Sequence, residues 1–122
     1  MKTRRVVGTL IGFALLSVAV LAQTPAPGTA PDPKLVANGR KLFETEKCNI
    51  CHLAEGKGNK KLSLDGIAAK MTMADIRKWI ASPAEMTAKL AKKPAVAMPK
   101  KADLKDADVD ALVAFVLSLK QQ

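Results

Sequence analysis

An all-α domain of three to five short helices is what this sequence predicts, on three observations. Apolar residues recur at helical spacing in two well-separated stretches, Leu35 to Phe43 and Val109 to Leu119. Helix-starting signals stand at Asp32-Pro33, at Thr72-x-x-Asp75 and in the acidic run Asp106, Asp108, Asp110. No segment alternates apolar and polar residues as a half-buried strand does, so no β-strand is expected, and no internal repeat is visible.

The 122 residues suffice for one domain. Residues 1–22 read as an export signal. Lys2, Arg4 and Arg5 make a basic start, Val6 to Ala22 is apolar and uncharged, and Val20-Leu21-Ala22 ends on the small residue that cleavage requires. That apolar stretch of 17 residues is also at the short limit for a membrane span, so retention as an N-terminal anchor is the alternative. Residues 23–33, "QTPAPGTAPDP", carry four prolines and little apolar bulk, which makes them a flexible linker to a domain at 34–122.

Asp32 is placed to cap the first helix, with Pro33 at its first position. Leu35, Gly39, Leu42 and Phe43 share one face of that helix. A helical glycine costs about 1 kcal/mol against alanine, so Gly39 points to a close helix crossing. A loop rich in Gly, Lys and Asn follows, from Ala54 to Lys61. Thr72 and Asp75 form a capping-box pattern for a second helix with Met73, Ile76, Trp79 and Ile80 on its inner side. Ser82-Pro83 ends it, because the residue before proline is pushed out of helical geometry. Residues 84–93 offer another helical turn or two, Lys93-Pro94 stops them, and "PAVAMPK" (94–100) reads as an extended loop. The last helix, 106–120, begins with aspartates that suit the positive end of its dipole. Its apolar residues cover most of the circumference, so it should be buried on more than one side.

The formal charge is +9, and +6 once the three basic residues of the signal are removed. A basic chain seeks nucleic acid, an anionic membrane or an acidic protein. An exported chain with no Tyr and one Trp has little surface for base stacking, which argues against nucleic acid. An acidic protein partner is the expectation, with membrane contact only through a retained signal.

A domain of about 90 residues buries a limited core and calls for a disulfide, a metal or a cofactor. The only two cysteines and the only histidine stand together in "CNICH", Cys48-x-x-Cys51-His52. A disulfide over so small a loop would constrain little of the unfolded chain. Structural zinc needs four ligands and the sequence has three strong N/S donors; a redox pair belongs to a βαβ setting that is absent. The pattern is that of covalent haem attachment, with both thiols on the porphyrin edge and His52 beneath the iron. The sixth iron position then decides between electron transfer and ligand binding or sensing. Met71, Met73, Met86 and Met98 are candidates. Met73 lies on a helix stripe and reads as core, whereas Met98 sits in a proline-flanked loop, "AVAMPK", that can reach the far side of a haem.

In these residues the chain resembles the class I monohaem c-type cytochromes, the soluble bacterial cytochrome c family. The resemblance runs from Asn38 to Lys120. It rests on Gly39-x-x-x-Phe43, Cys48-x-x-Cys51-His52, Leu64-x-Gly66, Trp79-Ile80-x-x-Pro83, Met98-Pro99 and the terminal "LVAFVLSLK". It implies a cytochrome c-like fold, with short helices wrapped round one covalent haem c and the first and last helices crossing through Gly39, Phe43 and Phe115. Further implications are iron ligation by His52 and Met98, attachment through Cys48 and Cys51, and Trp79 beside a haem propionate, with a plain core role as the alternative. The family's Gly-Pro before Leu-x-Gly is replaced here by Lys61-Leu62. By the same resemblance, the Leu62 carbonyl is the acceptor for His52. The implied function is a monomeric, non-enzymatic periplasmic carrier of one electron between redox partners such as a dehydrogenase and a terminal oxidase or reductase. Tight association with a periplasmic dehydrogenase as its haem subunit is the alternative. Lys57, Lys60, Lys61, Lys89, Lys92, Lys93, Lys100 and Lys101 would then ring the haem edge, against the plainer reading of a solvated surface.

Overall fold

The computed structural model describes residues 30–120. The export signal or anchor at 1–22 and most of the 23–33 linker lie outside the described residues. Within them four helices form: α1 (Pro33–Thr45), α2 (Met73–Ala81), α3 (Pro83–Ala88) and α4 (Asp106–Ser118). No helix among the described residues is long and apolar enough to cross a membrane.

The helix starts follow the capping residues. Asp32 accepts a hydrogen bond from the Lys34 N–H at 2.7 Å, and Pro33 opens α1. Thr72 Oγ1 accepts from the Asp75 N–H at 3.1 Å and donates to the Asp75 carboxylate at 2.7 Å, closing the first turn of α2. Asp108 accepts from the Lys105 N–H at 3.0 Å at the start of α4. Ser82 leaves helical geometry and Pro83 begins α3, so the proline both ends one helix and starts the next. The six-residue α3 is closed by Lys93, whose ammonium donates to the carbonyls of Ala88 (2.5 Å), Thr87 (3.1 Å) and Leu90 (3.3 Å).

The domain is organised by the crossing of α1 over α4, as the sequence led us to expect. A Cβ on Gly39 would stand 2.0 Å from the Ala111 carbonyl oxygen and 2.7 Å from Phe115 Cβ, so only glycine permits this approach. One turn on, Phe43 meets Phe115 edge to face, with ring centroids 5.4 Å apart. Val109 and every residue from Ala111 to Val116 are buried. One side of α4 packs Leu112, Phe115 and Leu119 against Phe43 and Ala54. The other packs Val109, Val113 and Val116 against Ile76 of α2. Arg77 fastens α2 to α4 through Asp110 and, at 3.6 Å, Asp106.

Two expectations are corrected. Leu53–Ala54 (β1) and Lys57–Gly58 (β2) pair as a minimal antiparallel hairpin. Its turn residues Glu55 and Gly56 both have positive φ (51° and 75°), the arrangement of a type I′ turn. Each strand is only two residues long, too short to show alternation. Met73, expected in the core, is 40% exposed, while Met71 just before α2 packs against Ile76 and its neighbours. Helical spacing identifies a face but not where along its length a neighbouring helix stops covering it.

Replacing Gly39 with Ala should force α1 away from α4. We expect a loss of about 2–3 kcal/mol in a urea denaturation series, the scale of core overpacking. An unchanged midpoint would contradict the crossing described.

Candidate functional site

The "CNICH" segment begins just after α1. Glu46 caps the helix, Lys47 takes a left-handed turn (φ 57°), and Cys48–Ile50 form one turn of 3-10 helix. The N–H groups of Cys51 (3.2 Å) and His52 (2.9 Å) both donate to the Cys48 carbonyl. Side chains three residues apart eclipse one another in such a turn, so Cys48 and Cys51 project to one side. Both thiols are free; Cys48 is half-buried and Cys51 exposed. Cys48 packs against the Phe43–Phe115 cluster, and this burial raises its thiol pKa, opposed by the charge of Lys101.

His52 is fixed from behind by residues that sequence reasoning missed. The Asn59 N–H donates to the His52 carbonyl at 3.3 Å, and the Asn59 amide donates to the Ile50 carbonyl at 3.3 Å. Gly58 lies so close that a Cβ there would be 2.2 Å from the His52 oxygen and 2.9 Å from that of Asn49. With φ at 109°, the position is glycine's on conformational grounds too. The only sequence signal was the Gly- and Asn-rich loop immediately downstream.

The His52 Nδ1 is buried and makes no hydrogen bond of standard geometry. Burial holds the imidazole pKa below its usual value, with the nearby Leu62 carbonyl acting in the opposite direction. That carbonyl accepts the Leu53 N–H at 3.0 Å and makes no hydrogen bond to the His52 Nδ1. Inward-facing Nδ1 leaves Nε2 as the nitrogen for an outer ligand. Two free thiols on one side of a turn, followed by an imidazole so disposed, fit a haem joined by two thioethers and bound through Nε2. Large apolar side chains stay uncovered around this turn, Ile50 at 65% and Leu62 at 56% exposure, which suits a group with apolar faces.

Among the described residues, no cluster of three His, Cys, Asp or Glu side chains could hold a metal ion. All the cysteine and histidine of the chain lies in those residues, so the zinc reading gains no support. Among the described residues no βαβ unit surrounds the thiols, and the redox-pair reading gains none either.

Met98 lies half-buried in the segment 90–105, which has no regular secondary structure, next to Val96 at 78% exposure. Three residues further on, Lys101 Nζ is 4.0 Å from Glu46 Oε2, two positions before Cys48. Three residues span at most about 10 Å, so Met98 belongs to a stretch of chain that returns to the attachment turn. Trp79 is half-buried on α2.

The hairpin beside His52 is tied down by Arg40, whose guanidinium binds both oxygens of Glu55, at 2.9 and 2.5 Å. This partner holds the Glu55 carboxyl pKa below its ordinary 4.5. A lowered carboxylate pKa stabilises the fold above the ordinary value, and the benefit fades as pH falls through the lowered one. Both side chains are nearly half exposed, so Glu55→Gln should cost only about 0.5–1 kcal/mol at neutrality. Urea midpoints of parent and variant should converge in strong acid; a difference that persisted there would contradict this assignment.

A comparison with protein-family models matches the family described as Cytochrome c over residues 36–120. Searches of curated proteins and of solved structures returned no match.

Proposed function

This chain belongs to the cytochrome c family, whose work is haem-based electron transfer, and from that premise we propose a periplasmic carrier of single electrons on a His52/Met98-ligated haem c. The reading is carried by the turn that sets Cys48 and Cys51 on one side, ahead of an imidazole whose Nδ1 is buried beside the Leu62 carbonyl. The haem, when bound, supplies a one-electron iron couple. Cys48 and Cys51 anchor its edge covalently. His52 would offer Nε2 to the iron, with its buried Nδ1 turned away from it. Met98 would offer the iron a soft thioether, which would favour the reduced state and raise the potential. With His52 and Met98 both assigned to the iron, the role we propose is that of a carrier rather than an enzyme. Trp79 is assigned to a propionate through its indole N–H.

The docking role is narrowed by which lysines are already engaged within the domain. Lys93 is occupied with three carbonyls, Lys89 pairs with Glu85 at 2.7 Å, and Lys101 approaches Glu46. Lys57, Lys60, Lys61, Lys92 and Lys100 are exposed and make no ion pair among the described residues. We assign to these five the steering of an acidic redox protein into a brief, salt-sensitive encounter with a monomeric carrier.

Two outcomes test the reading. The ferric protein should show the weak far-red charge-transfer band of methionine–iron ligation, and Met98→Ala should abolish it and lower the reduction potential. A band that survives this substitution would assign the ligand elsewhere. Charge reversal at Lys60, Lys61, Lys92 and Lys100 should slow reduction by an acidic partner roughly ten-fold or more at low ionic strength, with the difference vanishing in high salt. Equal rates at low salt would remove the steering role.

A further inference from the structure

Arg40 stands where three parts of the domain meet. It follows Gly39 at the helix crossing, and its guanidinium lies 5.5 Å from the centroid of the Phe115 ring on α4. Its fork on Glu55 engages the turn of the hairpin, 15 residues further along the chain. That turn is held from the other side by Asp65, which accepts from the N–H groups of Glu55 (2.8 Å) and Gly56 (3.3 Å).

The clamped turn leads directly into the residues that confine His52. Gly58 and Asn59 follow it and back the His52 carbonyl; Leu62, three residues before Asp65, accepts the N–H of Leu53, the residue after His52. Leu53 links both sides, pairing with Gly58 in the hairpin and bonding to Leu62 and Leu64. Glu55 holds a left-handed conformation that a non-glycine residue adopts only at some cost, so the turn depends on its outside partners. A cavity of about 70 Å³ lies under the fork, lined by Arg40, Phe43, Asn49, Glu55 and Phe115 among others. Once released, the turn has room to sink towards the helix crossing and carry Gly58 and Asn59 with it.

We propose that Arg40 is a positioning residue for the haem-ligating histidine: acting through Glu55, with Asp65 on the opposite side, it sets the plane of the His52 ring. This rests on His52 being the ligand, as proposed above. No iron ligand belongs to the clamp, so its effect is on orientation and not on attachment.

The test uses the full haem-loaded chain with Arg40→Gln, Asp65→Asn and the milder Arg40→Lys, against Arg77→Gln as a control. Arg77 also makes an ion pair to α4, but on the α2 side. Two quantities are read: the spread of haem-methyl NMR shifts in the ferric protein, which follows the imidazole plane, and amide exchange at Leu53, Asn59 and Leu64. Arg40→Gln and Asp65→Asn should alter the methyl spread and speed exchange at these amides by up to about five-fold, the scale of an exposed ion pair. Arg40→Lys should fall between them and the parent, and Arg77→Gln should leave both readouts unchanged. Clamp variants that lose stability yet keep the parent's methyl pattern would overturn the positioning role. Should Arg40→Gln fail to fold, Arg40→Lys and Asp65→Asn decide alone. A parent without histidine-ligated haem would instead overturn the proposed function, which separates the two failures.

Discussion

The contact between Gly39 and the backbone of α4 is the constraint from which the rest of the domain follows. Because no Cβ fits between them, α1 and α4 approach until the Ala111 carbonyl lies against α1. This approach brings Phe43 onto Phe115, two residues before α1 ends at Thr45. The attachment turn starts three residues after that end, so its position relative to the core is inherited from the crossing. The far end of α4 acts on the same region, since the Leu119 carbonyl accepts the Gly66 N–H at 3.1 Å and anchors the segment that carries Leu62.

Around this frame, the residues near His52 are held by short-range hydrogen bonds rather than by long secondary structure. A hairpin of two-residue strands starting at Leu53, a glycine pressed on the His52 and Asn49 carbonyls, and the Asn59 amide on the Ile50 carbonyl supply the hold. The segment that bears Met98 is treated differently. It has no regular structure between residues 90 and 105 and is fixed at its margins, by Lys93 on the carbonyls that end α3 and by Lys101 near Glu46. Such an arrangement fixes the ends of the Met98 segment and returns it to the Cys48–His52 turn.

How much of this could be read from the residues depends on the range of the interaction responsible. Asp32-Pro33, Thr72 with Asp75, and Ser82-Pro83 act within one helical turn, and each helix begins or ends where they stand. Gly39 was legible because a glycine inside an apolar helical stripe has few other reasons to be there. The cysteine and histidine spacing was legible because its chemistry is local. The I′ turn was not: Glu55 resembles any surface glutamate, and its positive φ is imposed by Arg40 and Asp65, distant in sequence. Lys93 looked like a docking charge until the end of α3 was seen beside it. Met73 failed because spacing gives a face and not the extent of its cover.

The most direct test of the account joins peptide mapping of the intact protein to a redox titration. The peptide containing Cys48, Cys51 and His52 should carry one haem through two thioether bonds. The intact protein should titrate as a single one-electron couple, more positive than expected for two nitrogen ligands. A peptide recovered with both thiols unmodified or joined to each other, or a protein without a one-electron couple, would contradict it.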